Sequence, residues 1–286
     1  PLPPPLQVSL NGQLHPTLTQ LGFTLPSASL YPRVVMDISG PEKTAKSWTA
    51  MTSTQPIAYL AFDPLNIEGV VQEFIRAGRV VLLKSFHIPD AREGVDTSAY
   101  KRIYADFRQT LSAVVKWSRG TIVIDTGRTV EELVRLSLYG KLKGVGTFSY
   151  EQRNMEMESI FDELAGGKVN VVWIHNTQKE WVTPLDAQGL PVLNAQGQTR
   201  NVKTNRDVPD RFELIGQRVQ INVLTSREYN IQTGVYGGFK IYVQNCRLKS
   251  TLGGMVFPIA KGDMTFIPRL MGEIFEGNNE LWGKYV

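Results

Sequence analysis

The segment Gly40 to Ser47, GPEKTAKS, carries residue types that could bind phosphate groups. Phosphate-binding loops place a glycine, four residues, a second glycine, a lysine and a serine or threonine in that order. Backbone N–H groups and the lysine of such a loop bind phosphate oxygens, and its hydroxyl binds Mg²⁺. The predicted phosphate-binding residues are Gly40, Pro41, Glu42, Lys43, Thr44, Ala45, Lys46 and Ser47.

Ala45 occupies the position at which this pattern requires the second glycine. Glycine serves there because the backbone must bend tightly and approach the ligand closely. An alanine fits if its φ angle stays negative, and otherwise its methyl group narrows the loop. Lys43 adds a positive charge that the pattern does not require. A nucleotide site and a plain helix N-terminus with solvated lysines are therefore both compatible with this segment.

The flanking residues predict the elements that must position such a loop. Apolar runs of strand length occur at residues 34–38, 57–62, 79–86, 121–126 and 169–175. Between them, apolar residues at helical spacing predict helices at residues 67–77, 98–117, 129–142 and 154–165. Five alternations of strand and helix predict an α/β fold with a mostly parallel central sheet and helices on both faces. Antiparallel strands are predicted late in the chain, at residues 211–224 and 238–248.

Asp125 ends the continuous apolar run Thr121-Ile122-Val123-Ile124. In open α/β sheets, ligands bind at the carboxyl ends of the strands. A carboxylate at such a place can help to hold the Mg²⁺ of a bound nucleotide. Asp125 alone fits an ordinary strand-end turn residue better, whereas its combination with the Gly40–Ser47 loop favours a metal role.

The chain divides by composition into three predicted parts. Residues 1–32 hold seven of the sixteen prolines and predict an extended arm, which either lies on its own domain or packs on a neighbouring subunit. Residues 33–250 form the predicted nucleotide-binding core, and residues 251–286 a C-terminal tail. Within the core, residues 177–210 are polar and basic and predict a projecting hairpin insertion.

The composition bounds the protein class and its surroundings. The 286 residues carry a formal charge of +4, 42% hydrophobic residues and one cysteine. A single cysteine excludes an internal disulfide and fits a reducing compartment, so we expect a cytoplasmic location. No apolar run reaches the length of a membrane span, and three scattered histidines give no zinc site.

The order of these motifs resembles a RecA-type ATPase core. More narrowly, it resembles the small RecA/RadA-like NTP-binding proteins of bacteriophages, which act with single-stranded DNA in recombination and annealing. The matching pieces are GPEKTAKS, YLAFDP followed by IEGVV, TIVIDT, and VVWIHNTQKEW followed by a basic loop and a β-hairpin, within residues 33–250. The resemblance implies ATP or another NTP, Mg²⁺, single-stranded DNA, a homo-oligomer and, for a phage-encoded protein, the host cytoplasm.

The resemblance also implies roles for individual residues of the nucleotide site. Lys46 would contact the β and γ phosphates, Ser47 would ligate Mg²⁺, and Asp125 would hold the metal through water. The catalytic candidates are Asp63, or as second choice Glu68, which would polarise the attacking water, and His175, which would sense the γ-phosphate. As alternatives, Asp63 begins an ordinary turn and His175 is a structural hydrogen-bonding residue.

The DNA contacts of the resembled family come from loops that correspond here to residues 139–153 and 177–206. The basic and aromatic candidates in them are Lys141, Lys143, Arg153, Lys179, Trp181, Arg200, Lys203 and Arg206. The alternative is that these charges are solvated loop residues. Sites of this type also receive a basic residue from a neighbouring subunit, and Arg247 or Lys249 holds the corresponding position.

Three hypotheses of function follow from the sequence. The first is an ATPase that assembles on single-stranded DNA. The second is a structural or interaction protein on the same fold with a degenerate nucleotide site, which Ala45 and Lys43 favour. The third is a metabolic P-loop kinase, for which the sequence shows no lid or base-recognition segment.

Overall fold

A computed structural model of the chain describes residues 33–62, 67–89, 97–117, 120–142, 148–193, 199, 202–210, 213–229, 232, 236–260, 263 and 265–277. The chain separates into two units, residues 1–32 and 33–286, and all described residues belong to the second. The predicted arm at residues 1–32 therefore lies outside the described residues.

The described strands form one mixed sheet. Their bounds are β1 (Val35–Gly40), β2 (Ile57–Ala61), β3 (Val80–Ser85), β4 (Thr121–Asp125), β5 (Asn170–Val182), β6 (Val202–Pro209), β7 (Ile221–Tyr229), β8 (Tyr236–Cys246) and β9 (Val256–Ile259). The strand order is β3-β2-β4-β5-β1-β7-β8-β9, and β6 pairs with the outer part of β5.

The strand directions confirm the predicted mostly parallel sheet. The first five strands pair in parallel, and β7 continues the parallel set beside β1. The strands β8 and β9 add an antiparallel edge, and β6 forms an antiparallel hairpin with β5. The register aligns Ala61 with Asp125 and Ser39 with His175, so the carboxyl ends of β1, β2, β4 and β5 meet at one edge.

Helices cover both faces of the sheet. Their bounds are α1 (Lys46–Ala50), α2 (Gln72–Arg76), α3 (Thr97–Trp117), α4 (Gly127–Tyr139), α5 (Phe148–Gly166), α6 (Glu213–Arg218) and α7 (Phe266–Ile274). Short helical turns occupy Ile67–Val71 and Ser250–Leu252. In the part of the chain that the structure describes, no helix combines the length and the apolar character needed to cross a membrane.

The alternation of side chains along each strand divides the core into two layers. One layer packs Ile38, Tyr59 and Val123 beneath α1, α2 and α7. The other packs Trp173 and Leu60 beneath α3, α4, α5 and α6. Because both faces are covered, the central strands are continuous apolar runs, and this explains why the sequence identified them.

The later part of the chain departs from the sequence prediction. Residues 213–218, predicted as part of a strand, form α6, because Ile215 and Val219 lie one helical turn apart and are both buried. The helix α4 begins at Gly127 and is capped by Thr126, so it starts two residues before the predicted helix at residues 129–142. The predicted tail supplies β9 and α7, which complete the sheet and cover its face.

Candidate functional site

The segment from Gly40 to Ser47 leaves the carboxyl end of β1, at the middle of the sheet. From β1 the chain continues to β2 on one side, whereas the chain after β5 and its hairpin crosses to β7 on the other side. Chain connections therefore diverge at this point, which is the arrangement that forms ligand crevices in open α/β sheets. The predicted loop thus occupies the position that the fold offers for a ligand.

The backbone of the loop has the bend that glycine usually provides. Lys43 has φ 58° and Ala45 has φ 63°, both in the left-handed region. Ala45 therefore does not meet the condition of a negative φ under which an alanine fits this position. A left-handed conformation costs a residue with a Cβ atom about 1–2 kcal/mol. The loop thus keeps two unfavourable backbone conformations, and surrounding contacts must hold them.

Gly40 is constrained by the neighbouring strand β7. A Cβ atom at Gly40 would lie 2.1 Å from Oγ1 of Thr225 and 2.7 Å from Oγ1 of Thr44. The two threonine hydroxyls are 2.7 Å apart, and the Thr225 hydroxyl also donates to the carbonyl of Ser39 at 3.2 Å. The first glycine of the motif is therefore required by close packing against β7.

Lys46 carries a buried positive charge. The residue is only 8% exposed, and its Nζ donates to the carbonyl of Pro41 at 2.6 Å. Burial lowers the pKa of Lys46 from 10.5 to about 8, against the opposing effect of the carboxylates of Asp125 and Glu42. An anion bound beside this ammonium would stabilise its charged form. The helix α1 has only five residues, so Lys46 rather than a helix dipole supplies the charge of the site.

Ser47 and Asp125, the two residues predicted to hold Mg²⁺, are in direct contact, and their metal role stays a prediction. The Ser47 hydroxyl donates to Oδ2 of Asp125 at 2.9 Å, and the Asp125 carboxylate is 1% exposed. Hard oxygen ligands of this kind suit Mg²⁺, which proteins bind through one or two carboxylates together with substrate phosphates. No group of three or more His, Cys, Asp or Glu side chains fit to hold a metal occurs among the described residues.

Tyr59 is a residue of this site that the sequence analysis missed. Its hydroxyl donates to the same oxygen, Oδ2 of Asp125, at 2.5 Å. Tyr59 lies on β2, two residues before the position paired with Asp125, and it faces the same side of the sheet. A polar-tipped aromatic residue inside the apolar run 57–62 was the available signal. Tyr59 and Ser47 together fix the direction of the carboxylate.

His175 is placed in the core beneath α4. The residue is fully buried, and its Nδ1 lies 2.6 Å from Oδ1 of Asp37, whose other oxygen accepts from Ser39 at 3.0 Å. Burial lowers the pKa of His175 to about 3, so the neutral ring donates its Nδ1–H to Asp37. Its Nε2 faces Gly127, where a Cβ atom would approach within 2.2 Å. These contacts give His175 a structural role, and its role as a γ-phosphate sensor stays a prediction.

The two carboxylates proposed to polarise water are placed as follows. Asp63 lies outside the described residues. Glu68 is exposed in the irregular turn Ile67–Val71 that follows β2. Since β2 ends beside Asp125, residues after β2 emerge at the edge that carries the loop. Both catalytic assignments stay predictions.

The candidate DNA-binding residues fall into two groups. Lys203 and Arg206 are exposed on β6, Lys179 is half-buried on β5, and Lys141 is exposed after α4. Arg153 is instead held in the fold, where Nη1 pairs with the buried Glu131 at 3.1 Å. A DNA phosphate would have to compete with that carboxylate. Lys143, Arg200 and the side chain of Trp181 lie outside the description.

The two residues proposed to act on a neighbouring subunit follow β8. Because Cys246 pairs with Ile221 at the start of β7, Arg247 and Lys249 lie at the sheet edge opposite to the loop. The Lys249 ammonium donates to the carbonyl of Glu273 at 2.7 Å. Within one protomer these side chains are remote from the loop, and their role in trans stays a prediction.

Comparison of the sequence with models of protein families and with curated proteins finds no match. Function is therefore inferred from the geometry of the loop, its buried lysine and the Ser47–Asp125 contact.

The depressed pKa predicts how Lys46 affects stability. The unfolded chain keeps the Lys46 proton up to about pH 10.5, whereas the folded chain releases it near pH 8. Burial of the charge therefore destabilises the fold by about 3 kcal/mol below pH 8, and this penalty disappears as pH rises to 10.5. We expect Lys46→Met to raise the free energy of unfolding at pH 7 by about 1–3 kcal/mol, because it removes the buried charge. The gain falls below the full ~3 kcal/mol because the variant also loses the hydrogen bond to Pro41.

Urea denaturation at pH 7 and pH 10 measures this effect. The gain from Lys46→Met should be smaller at pH 10. Lys116→Met, at an exposed position near the end of α3, is the control and should change stability by less than about 0.5 kcal/mol. A loss of stability in Lys46→Met at pH 7 would contradict the account.

Proposed function

We propose that the protein is a RecA-like ATP-binding protein, and an ATPase, that acts with single-stranded DNA in recombination or annealing. The observation that carries the proposal is the 2.9 Å contact between Ser47 and Asp125. It brings the hydroxyl at the end of a phosphate-binding segment to a strand-end carboxylate 78 residues away. A Mg²⁺ ion bound to nucleotide phosphates requires this pair of ligands.

The proposed binding mode uses the loop as a phosphate cradle. Backbone N–H groups from Glu42 to Lys46 face the phosphates, and the Lys46 ammonium leaves the Pro41 carbonyl to contact the β and γ phosphates. Within the protein, the carboxylates of Asp125 and Glu42 offset the burial of the Lys46 charge only in part. The bound anion would supply the remaining charge compensation. Ser47 and Asp125 hold Mg²⁺, and Tyr59 keeps the Asp125 carboxylate in position.

Hydrolysis would use a carboxylate that follows β2. That strand lies beside β4, and Ala61 pairs with Asp125, so the chain after Ala61 starts next to the proposed metal site. Asp63 and Glu68 both follow in this segment. Their position in the chain directly after β2 supports a role in polarising water.

The proposed DNA contact lies on the β5–β6 hairpin. The strand β5 belongs to the sheet up to Asn176 and pairs with β6 from Thr177 onward, so one strand joins the sheet edge beside the loop to the hairpin. Lys203 and Arg206 are exposed on that hairpin. Cations on an exposed ribbon suit the phosphate backbone of a flexible single strand.

The second candidate function is a structural or interaction protein with a degenerate nucleotide site. The positive φ angles of Lys43 and Ala45 favour this second candidate. Both residues carry a Cβ atom, which makes the loop conformation needed for phosphate binding energetically unfavourable. The two candidates differ in one measurable property, the affinity for Mg·ATP.

Calorimetric titration with Mg·ATP tests the nucleotide site. We expect the wild-type protein to bind, and Lys46→Met to weaken binding about 100-fold because a charge-assisted contact worth about 2–3 kcal/mol is lost. Ser47→Ala should weaken binding only when Mg²⁺ is present. Lys116→Met is the matched control and should bind as the wild type does. Absence of binding by the wild-type protein would favour the degenerate-site alternative.

Fluorescence anisotropy with a labelled single-stranded oligonucleotide tests the DNA contact. The affinity should fall with salt concentration, and replacing Lys203 and Arg206 by Gln should reduce the log–log slope by about 1.4, for two phosphates at about 0.7 each. The control replaces Arg76 and Lys116, exposed at the far ends of α2 and α3, by Gln. An equal loss of slope in both double variants would exclude a specific role of the hairpin.

A further inference from the structure

The strand β7 makes contacts with the phosphate loop that no sequence motif indicates. Thr225 and Arg227 lie two residues apart on β7, so their side chains face the same side of the sheet. The Thr225 hydroxyl contacts the hydroxyl of Thr44, and Nε of Arg227 donates to the carbonyl of Lys43 at 2.7 Å. Two neighbouring residues of the loop are thus held from one strand.

The contact to the Lys43 carbonyl determines where the next N–H group points. The C=O and N–H groups of a trans peptide point in opposite directions. Because Arg227 holds the Lys43 carbonyl toward β7, the N–H of Thr44 is directed away from β7. In the proposed binding mode, this N–H group is one of those that face the phosphates.

The same contact helps to hold the two unfavourable backbone conformations of the loop. Lys43 and Ala45 flank Thr44, and each holds a positive φ angle without being glycine. Such conformations persist where the surrounding structure determines them. The hydrogen bond from Arg227 to the Lys43 carbonyl and the contact between the Thr225 and Thr44 hydroxyls are two such constraints on the segment.

We propose that Arg227 is a positioning residue of the phosphate loop. It holds the peptide between Lys43 and Thr44 in the orientation that a glycine-rich loop adopts without help, and it thereby lets a loop with Lys43 and Ala45 bind phosphate. The inference deepens the proposed function and rests on the nucleotide site proposed above. Arg227 contributes by positioning the Thr44 N–H donor, because its guanidinium is hydrogen-bonded to the Lys43 carbonyl of the same peptide.

Hydrogen exchange in the nucleotide-free protein tests the positioning without relying on nucleotide binding. Arg227→Ala should accelerate amide exchange at residues 42–46 at least fivefold and leave the core strands unchanged. Lys240→Ala is the matched control, because it removes the 2.6 Å ion pair with Glu228 on the same β7–β8 hairpin without a contact to the loop. Unchanged exchange in Arg227→Ala, or equal acceleration in both variants, would overturn the inference.

Mg·ATP binding separates positioning from charge. Arg227→Ala should weaken binding about tenfold, the effect of losing a charge-assisted hydrogen bond worth about 1.4 kcal/mol. Arg227→Lys should weaken it similarly, since lysine keeps the charge but lacks the Nε donor. Adding Lys43→Gly to Arg227→Ala should restore most of the affinity, because glycine adopts φ 58° without a Cβ penalty.

The outcomes distinguish this inference from the function on which it rests. Full binding by Arg227→Lys, with no rescue by Lys43→Gly, would show that Arg227 acts through its charge and would overturn the positioning role. If the wild-type protein binds no nucleotide, the proposed function is refuted. Faster loop exchange in Arg227→Ala would then still support the positioning of the loop by Arg227.

Discussion

The buried ammonium of Lys46 is the interaction on which the arrangement of this site depends. A cation that is 8% exposed, with a pKa lowered to about 8, is unfavourable to the fold unless an anion approaches it. The fold places it at the centre of the sheet, where the chain connections diverge, and surrounds it with the Pro41 carbonyl and the Asp125 carboxylate. Such a group is typical of a binding site rather than of a structural core.

The loop around Lys46 reaches its shape by an unusual route. Phosphate loops use glycines because these residues adopt positive φ angles without a Cβ penalty. Here the sequence keeps only Gly40, which close packing against Thr225 requires, and accepts Lys43 and Ala45 in the left-handed region. Support from β7 replaces the missing conformational freedom. Departure from a motif therefore does not by itself show that a site has been lost, because a neighbouring strand can supply the constraint.

The sequence predicted much of the fold because its signals are local. Strands buried on both faces are continuous apolar runs, and their carboxyl ends share one edge, so the approach of Ser47 to Asp125 followed from two separate segments. The helix α6 was missed because the two buried apolar residues Ile215 and Val219 lie four apart inside a segment that otherwise resembles a strand.

The contacts that the sequence did not predict are long-range ones. Arg227 lies 184 residues from Lys43, and Tyr59 lies 66 residues from Asp125. Such pairs depend on which strands become neighbours and in which register, and no periodicity within a single segment encodes that information. The first glycine illustrates the same limit, because the motif indicated Gly40 but not the close approach of Thr225 that requires it.

Proton uptake on nucleotide binding tests the central claim most directly. At pH 8 about half of the Lys46 side chains are protonated in the ligand-free protein, since the pKa is about 8. Phosphate contact raises that pKa, so binding should take up about half a proton per nucleotide, measured by titration calorimetry in buffers of different ionisation enthalpy. The uptake should vanish in Lys46→Met and persist in the control variant Lys116→Met. Mg·ATP binding without proton uptake at pH 8 would contradict the account.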